Sequence, residues 1–268
     1  GWSAKYTLEI AQTLYEEYKL TTYPRTDSRY LPTEMRDSIN QIITDISKQD
    51  DYSEHCRNLA ENGLSNASRN FNDAKVSDHF AVIPTGNNPP ANLPAPARQL
   101  FAHIPRRFLA SFHPHATWLD TKRVVTKNDQ ILTAKASTLE VEGWRAVIPK
   151  TNTAPEGWGV LAAAQCAGTI VAIEVQQKET KPTPRMKDAG VLSAMENAGK
   201  IIDDEEYREA ISDKGLGTPA TRAEHIENLI RHSYVERLKS GGLRATPKGI
   251  RLIEVLRRIP VNWLSSPE

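Results

Sequence analysis

Tyr23 and Arg25 lie two residues apart in a polar stretch that is bounded by Pro24 and Pro32. Helical apolar patterns lie on both sides, so we predict a loop that presents both side chains. A free phenol, with a pKa of about 10, becomes a nucleophile only where nearby cations favour the phenolate. A guanidinium can also bind two phosphate oxygens while charge develops at phosphorus. The pair fits attack on a phosphate ester, although an ordinary loop tyrosine beside a surface arginine has the same spacing.

A longer string around these residues carries more information. Residues 22–32 read T-Y-P-R-T-D-S-R-Y-L-P, and residues 1–16 read G-W-S-A-K-x-T-L-x-I-A-Q-x-L-Y-E, where x marks three unmatched positions. Together these two strings resemble the active-site region of type IA DNA topoisomerases, and most closely that of the topoisomerase III branch. In that family the tyrosine of this string attacks one DNA strand and keeps its 5′ phosphate as a phosphotyrosyl ester. The resemblance gives this role to Tyr23 and makes Arg25 the phosphate-contacting arginine.

A second string, D-H-F-A-V-I-P-T, covers residues 78–85. It resembles the H-x-A-I-x-P-T motif of the same family, whose histidine lies beside the nucleophile. An imidazole can hydrogen-bond a phosphate oxygen or relay a proton. A structural histidine bonded to the backbone is the alternative for an isolated residue. With the flanking motif present, we predict that His79 belongs to the catalytic site.

A third motif, K-G-L-G-T-P-A-T-R, covers residues 214–222. We predict that Thr218 is the N-cap of a helix that begins at Pro219, so that backbone N–H groups at the helix start face a phosphate. The motif resembles the G-I-G-x-P-S/T-x-T/S string that contacts single-stranded DNA in the base domain of the family. The exit linker from the β region, residues 181–185, supplies one further arginine. The predicted DNA-binding residues are Lys214, Thr218, Thr221, Arg222 and Arg185.

Helices on both sides of the tyrosine loop must position it. Ser3 is a predicted N-cap for a helix with one apolar face, and Thr33 is a predicted N-cap for a second helix with a stripe of isoleucines. A third apolar helix is predicted from about Ala97. The family has an uninterrupted helix at this point, whereas this chain has Pro105, which we expect to kink the helix or shift its start.

The middle of the chain has the composition of strands. Strands are predicted over Thr117–Thr126, Gln130–Ser137, Thr138–Ile148 and Thr169–Gln177, with turns at Asn128-Asp129 and Glu142-Gly143. The resemblance makes this antiparallel unit the arch of the family. After it, a helix, a hairpin over Tyr234–Leu238 and Leu243–Thr246, and a helix begun at Thr246-Pro247 form a helix–wing–helix pattern. Residues 231–258 carry a basic patch, which a wing and its flanking helices can place on a DNA backbone.

The predicted fold is mixed α and β with several domains. A helical, winged-helix-like catalytic domain covers residues 1–113, a partial antiparallel β arch covers 114–182, and a helical base domain with a winged-helix element covers 183–268. The formal net charge is only +1, so nucleic-acid affinity must come from local patches. No apolar run approaches membrane length and no signal peptide is visible, so a cytoplasmic location is expected.

No metal site is predicted within this chain. Cys56 and Cys166 fit no metal or redox spacing, which favours a reducing compartment. His113 and His115 lack a third ligand and are interpreted as surface residues. The acids of residues 203–206 suit a helix N-terminus better than a Mg²⁺ site, because four consecutive carboxylates cannot face one ion. Arg106 and Arg107 are interpreted as a solvated helix face rather than as DNA contacts.

The chain begins at Gly1 rather than Met, and we expect it to be part of a longer protein. The resemblance implies an N-terminal Toprim domain that supplies a catalytic glutamate and the Mg²⁺ ligands of the full-length enzyme. ATP is not expected, because the covalent intermediate retains the bond energy and no P-loop is present. We therefore predict that this chain alone binds single-stranded DNA without cleaving or relaxing DNA.

Two other function classes compete with this prediction. A non-enzymatic winged-helix DNA-binding regulator would use residues 216–258 and would tolerate loss of the Tyr23 hydroxyl. A tyrosine recombinase or relaxase would share the nucleophile. Recombinases need several scattered arginines and form 3′ links, whereas relaxases use a histidine-cluster metal site, and neither pattern appears in the sequence.

Overall fold

The computed structural model describes residues 1–76, 78–149, 169, 171–201 and 215–259, and the structural statements below concern these residues. The α-helices are α1 (Ala4–Glu16), α2 (Arg36–Ile46), α3 (Ser53–Asn62), α4 (Ala67–Asn70), α5 (Ala95–Phe101), α6 (His103–Phe112), α7 (Asp188–Glu196), α8 (Arg222–Arg231) and α9 (Pro247–Leu256). The strands are β1 (Thr117–Lys127), β2 (Gln130–Val141), β3 (Val235–Arg237) and β4 (Leu243–Ala245). The molecule is therefore of mixed α and β structure, as predicted. None of these helices is both long and apolar enough to cross a bilayer.

Helix α1 packs against α5 and carries the start of the tyrosine loop. Ser3 caps it as predicted, since its hydroxyl accepts the N–H of Tyr6. Leu14 and Leu20 are fully buried in a small core. The remaining members of this core are Leu93, Ala97 and Phe101. The apolar face of α1 therefore fixes the position from which residues 21–32 depart.

A larger core lies between α2, α3 and α6. Ile39, Ile46, Leu109 and Phe112 are at most 1% exposed in it. The isoleucine stripe of α2 faces this core, as predicted. Thr33, however, does not cap α2, because residues 33–35 form a separate 3₁₀ turn before the helix begins. Large fully buried side chains make this core the rigid support for the loop above it.

Pro105 shifts the start of a helix, one of the two effects predicted for it. Helix α5 ends at Phe101 and α6 begins at His103, with Ala102 between them. Pro105 is the third residue of α6, where its missing N–H would have no intrahelical partner in any case. Its ring is fully buried. The proline therefore divides the apolar segment into two packed helices.

The β region is a two-stranded ribbon. Strands β1 and β2 pair antiparallel from Thr117↔Val141 to Lys127↔Gln130. The turn at Asn128-Asp129 is confirmed, with positive φ at both residues (47° and 62°). The predicted break between Ser137 and Thr138 is wrong, because both residues pair with β1 inside one continuous strand.

The predicted strand over Thr169–Gln177 is also wrong. Residues 171–177 have no regular secondary structure, and Val171, Ile173 and Val175 are 79–95% exposed. A strand needs a neighbour to bond its backbone, and no segment that the structure describes pairs with these residues. The predicted β unit therefore contains two strands here instead of four.

The last described elements are a helix, a hairpin and a helix, in the predicted order. Strands β3 and β4 pair over three residues each, so the hairpin is shorter than predicted. Thr246 caps α9 by accepting the N–H of Gly249, and Pro247 occupies the first helical position, as predicted. Neither the winged-helix description nor the three domain boundaries is tested by these elements, and both stay predictions.

Asp188 connects this C-terminal group to α1. Its carboxylate accepts the N–H of Ala4 (2.8 Å) and the Nη2–H of Arg237 (2.9 Å). Arg237 also donates to Glu227 on α8 (2.8 Å). A second connection is the ion pair of Lys5 on α1 with Glu224 on α8 (2.9 Å). The first turn of α1 is thus joined to α7, α8 and β3.

Candidate active site

The tyrosine loop is hydrogen-bonded to the segment that follows His79. The backbone N–H of Thr22 donates to the carbonyl of Ile83 (2.9 Å), and that of Thr85 donates to Leu20 (3.1 Å). The hydroxyl of Thr22 donates to the carbonyl of Ala81 (3.0 Å) and accepts the N–H of Ile83 (2.9 Å). These bonds bring the first and second sequence motifs together, 61 residues apart at Thr22 and Ile83.

The rings of Tyr23 and His79 lie against one another. Their centroids are 4.3 Å apart, with 40° between the planes. Tyr15 of α1 packs edge-on against the Tyr23 ring, with the centroids 5.5 Å apart. The hydroxyl of Thr26 donates to the carbonyl of His79 (3.2 Å). Tyr23 is half-buried and His79 is exposed, so the phenol is oriented by its neighbours without being enclosed in the core.

Arg25 is held by a glutamine to which sequence analysis gave no role. Its Nη2 donates to Oε1 of Gln12 on α1 (2.7 Å), and its Nε is buried without a hydrogen-bond partner. No carboxylate among residues that the structure describes forms an ion pair with Arg25. An amide acceptor orients a guanidinium without neutralising its charge, so the guanidinium remains available to an anion. The only sequence signal for Gln12 was that position 12 matches the family within the string of residues 1–16.

The far end of the loop is anchored as well. The N–H of Ala81 donates to the carbonyl of Tyr30 (2.9 Å). Thr33 donates through both its N–H and its hydroxyl to the carboxylate of Asp73 (2.7 Å each). These two bonds lower the pKa of Asp73 below its usual range. Tyr23 and Arg25 therefore lie on a loop with both ends fixed, and His79 lies on the segment bonded to it.

The third motif differs from its prediction. Helix α8 begins at Arg222 with Thr221 as N-cap, so the helix start predicted at Thr218-Pro219 is wrong. Residues 218–221 form a tight turn, in which the N–H of Thr218 donates to the hydroxyl of Thr221 (3.0 Å). Gly215 and Gly217, both with positive φ, lead into this turn. Of the backbone N–H groups predicted to face a phosphate, those of Thr218 and Thr221 are therefore already bonded within the motif.

The predicted DNA-binding residues have different environments. Thr218, Thr221 and Arg185 are exposed. Arg222 is only 7% exposed, and its Nε donates to the carbonyl of Leu216 (3.2 Å), so it supports the loop that carries the motif. Lys214 lies outside the described residues. DNA contact by these five residues stays a prediction.

No metal centre accompanies the tyrosine in the part of the chain that the structure describes, because no three His, Cys, Asp or Glu residues there are grouped to hold an ion. The acids at 203–206 lie outside that part. His115 is exposed as predicted, whereas the surface interpretation of His113 is wrong. His113 is 3% exposed, and burial together with the neighbouring His55 lowers its pKa.

Cys56 is not a competing nucleophile. The side chain is 2% exposed in the core beneath α3, and burial raises the pKa of its thiol to about 11. A thiolate is the reactive form of cysteine. Near neutral pH this thiol is therefore protonated and inaccessible, in contrast to the half-exposed phenol of Tyr23.

Comparisons with known proteins agree with the motifs. All of residues 1–268 match a family model that is described as DNA topoisomerase. DNA topoisomerase 3 of Shouchella clausii is 36% identical over 245 residues, covering 88% of this chain and 33% of that protein. DNA topoisomerase 3 of Bacillus subtilis is 33% identical over 266 residues (96% and 36%), and that of Haemophilus influenzae is 33% identical over 267 residues (97% and 40%).

The fold also resembles a solved structure, that of full-length topoisomerase I from Thermotoga maritima. The TM-score is 0.67 at 22% identity, over 96% of this chain and 39% of that one. At this identity the likeness shows the fold alone. The chain spans about a third to two-fifths of the length of the curated relatives named above.

Proposed function

The chain belongs to the DNA topoisomerase family, in its type IA, topoisomerase III-like branch, and from that premise we propose that Tyr23 breaks and rejoins one DNA strand. The observation that carries the proposal is the half-exposed Tyr23 ring, 4.3 Å from the ring of His79. Arg25 lies in the same loop, with its guanidinium held by Gln12. A phenol, an imidazole and a guanidinium together suit transesterification at phosphorus.

The proposed reaction consists of two matched exchanges. The phenolic oxygen of Tyr23 attacks a backbone phosphorus, and the bond from phosphorus to the 3′ oxygen breaks. The phenol loses its proton and the leaving oxygen gains one, which gives a free 3′ hydroxyl and a 5′ phosphotyrosyl ester. After strand passage the 3′ hydroxyl attacks the ester and restores both starting groups. One phosphate ester replaces another at each step, so ATP is not required.

Arg25 and His79 would act on the same phosphate. The Arg25 guanidinium would stabilise the charge that develops on the non-bridging oxygens. The His79 imidazole would donate a hydrogen bond to a phosphate oxygen or relay the proton of the phenol. Gln12 would keep the guanidinium in place, since reorienting a charged donor during the reaction raises the barrier.

Single-stranded DNA is the proposed substrate of the whole protein, which would relax or decatenate DNA. The exposed residues Thr218, Thr221 and Arg185 would bind its backbone, together with Lys214, while Arg222 would support the motif that presents them. Mg²⁺ and a catalytic glutamate are proposed to come from a Toprim domain of the parent protein. No step above is assigned to the metal, because the described residues provide no group of ligands for it.

Trapping of a covalent complex tests the role of Tyr23. We expect the parent protein, mixed with single-stranded oligonucleotide and denatured, to retain a 3′-end label, because the 5′ phosphate of the downstream fragment stays on the tyrosine. Tyr23→Phe should abolish the complex, whereas Tyr6→Phe on α1 should leave it intact. A complex that survives Tyr23→Phe, or one that retains a 5′-end label instead, would overturn the assignment. A purely DNA-binding regulator would give no complex at all.

A second assay concerns this 268-residue chain by itself. We expect it to bind single-stranded oligonucleotide weakly and to leave supercoiled plasmid unrelaxed in the presence of Mg²⁺. Efficient relaxation would show that the catalytic glutamate and metal ligands need not come from a Toprim domain. The Tyr23→Phe chain should bind oligonucleotide as the unaltered chain does.

A further inference from the structure

A basic cavity of about 430 Å³ lies where α4, the end of α6 and the base of the β ribbon meet the far end of the tyrosine loop. Tyr23, Arg25 and His79 do not line this cavity, and the proposed reaction makes no use of it. Its wall includes Arg29, Tyr30, Asn66, Arg69, Asn70 and Arg107, together with Trp144.

The charges in this wall all have one sign. Three arginines line it, and no Asp or Glu among the described residues does so. Arg29 has a partner in Glu196 (3.3 Å), but the Arg29 side chain is 79% exposed, so this ion pair is weak. Arg69 and Arg107 are exposed, and neither forms an ion pair with a carboxylate that the structure describes. Two unpaired guanidiniums at one concave surface favour an anion with several oxygens.

Two side-chain amides reduce the negative potential at the C-terminal end of α6, beside the cavity. The side-chain amide of Asn66 donates to the carbonyl of His113 (2.6 Å), and that of Asn70 donates to the carbonyl of Ser111 (2.7 Å). Both amides cover carbonyl oxygens at the C-terminal end of α6, where the helix dipole would otherwise repel negative charge. Each amide keeps a second N–H for a ligand oxygen.

The wall also contains groups that suit a nucleotide more than a bare ion. Trp144 and Tyr30 add aromatic rings to the wall. A cation lies over each ring, with Arg145 Cζ 4.5 Å from the Trp144 centroid and Lys75 Nζ 5.2 Å from the Tyr30 centroid, so a base would stack on the opposite ring face. His113 is 3% exposed, and its Nε2 is buried without a hydrogen-bond partner. Since this nitrogen has almost no accessible surface, a ligand in the cavity would not reach it, and the polar contacts of the site come from the arginines and asparagines.

We propose that this cavity is a second phosphate site, in which Arg69 and Arg107 bind the phosphate of a nucleotide away from the tyrosine. The phosphate belongs either to a DNA strand or to a free nucleotide. If the phosphate belongs to a DNA strand, the inference rests on the proposed function; if it belongs to a free nucleotide, it does not. Tyr23 lies near the start of the tyrosine loop (residues 21–32), and Tyr30, which lines the cavity, lies near its end. A strand held in the cavity would therefore lie at the opposite end of that loop from the nucleophile.

A pair of charge-matched double variants tests the proposal in the 268-residue chain. Arg69→Gln with Arg107→Gln removes the two guanidiniums of the cavity. Arg57→Gln with Arg106→Gln removes two exposed arginines of α3 and α6 that do not line it. The probes are labelled oligothymidylate, thymidine monophosphate and inorganic phosphate, each titrated over a range of salt. Circular dichroism verifies that both variants are folded.

We expect the cavity variant to weaken oligothymidylate binding by about tenfold and to reduce the slope of log affinity against log salt by about one. The control variant should change neither by as much. If thymidine monophosphate and phosphate bind the unaltered chain and lose affinity in the cavity variant alone, a free nucleotide is the source. An effect confined to oligothymidylate identifies the strand. Equal behaviour of the two double variants overturns the proposal.

The outcome can be separated from that of the proposed function. Tyr23→Phe leaves every group of the cavity in place, so we expect it to bind all three probes as the unaltered chain does. Failure of the covalent-trapping assay would remove the role of Tyr23 and leave a positive cavity result standing. Conversely, an inert cavity would not affect the phosphotyrosyl assignment.

Discussion

At the scale of single residues, the candidate site depends on side chains that do not react. Thr22 fixes the spacing between Tyr23 and the segment of His79 through one donated and one accepted hydrogen bond. Gln12 fixes Arg25 through a single charge-assisted bond. Such positioning residues matter because a small displacement of a nucleophile or a guanidinium reduces the rate strongly.

Thr22→Val tests the first contact. Valine has a similar shape but leaves the N–H of Ile83 without the hydroxyl acceptor, and an unsatisfied polar group of this kind costs about 1–3 kcal/mol. We expect the free energy of unfolding in urea to fall by that amount and the covalent complex of the parent protein to form more slowly. Thr22→Ser retains the hydroxyl and should recover most of both losses. A valine variant as active and stable as the serine variant would contradict this role.

Gln12→Ala tests the second contact. Without the amide acceptor the Arg25 guanidinium samples more orientations, and we expect the parent protein to form the covalent complex about tenfold more slowly, which corresponds to roughly 1.4 kcal/mol in the barrier. Gln41→Ala is the matched control, because the amide of Gln41 donates to Asp45 four residues later (3.1 Å), just as that of Gln12 donates to Glu16 (3.0 Å). Equal rates for the two variants would show that Gln12 does not position Arg25.

At the scale of elements, close backbone approach decides how the C-terminal helix packs. Gly249 is the third residue of α9, and a Cβ at this position would overlap the carbonyl oxygen of Tyr234. Gly190 is the third residue of α7, and a Cβ there would have only ordinary contact with Met186 at 3.5 Å. The two glycines occupy the same position in their helices, but backbone faces Gly249 and a side chain faces Gly190.

Replacement by alanine should have opposite effects on stability at Gly190 and Gly249. Gly190→Ala should raise the free energy of unfolding by about 0.5–1 kcal/mol, because alanine restricts the unfolded chain and favours a helix. Gly249→Ala should lower it by about 1–3 kcal/mol, because the clash exceeds that gain. Thermal or urea denaturation measures both. Stabilisation by Gly249→Ala would show that α9 does not pack closely on the residue before β3.

The β ribbon shows how an element depends on its neighbours. Strand β2 continues through the predicted break at Ser137 because β1 offers partners along its whole length. Residues 171–177 have a similar composition, with no partner among the residues that the structure describes. Composition favoured a strand in both cases, and pairing decided which one formed.

At the scale of the whole molecule, one carboxylate joins four elements. Asp188, 6% exposed, accepts from the first residue of α1 and from Arg237, which also binds Glu227. A buried carboxylate with several donors is costly to disturb, because the remaining partners lose their acceptor. The relation of α1 to the C-terminal elements therefore rests partly on this residue.

Asp188→Asn tests that connection. We expect the free energy of unfolding to fall by about 2–3 kcal/mol, below the usual range for fully buried pairs because Arg237 is partly exposed. Glu236→Gln disturbs the ion pair of Glu236 with Arg244, in which both side chains are more than two-fifths exposed, and should cost under about 1 kcal/mol. Urea denaturation of both variants measures the difference. Equal losses would show that Asp188 does not hold the elements together.

The sequence alone determined the three motifs, the helices around the tyrosine loop and the capping of α1 and α9. These features depend on residues close in the chain, where apolar spacing, a capping hydroxyl or a proline acts within a few positions. The resemblance already implied that His79 lies beside Tyr23, and the structure adds the distance between the two rings. Only the tertiary structure decided that Gln12 holds Arg25, that Arg222 turns inward, and that three arginines meet at one cavity. Each of those contacts joins residues whose separation in space is set by packing of the cores, and no local pattern encodes that distance.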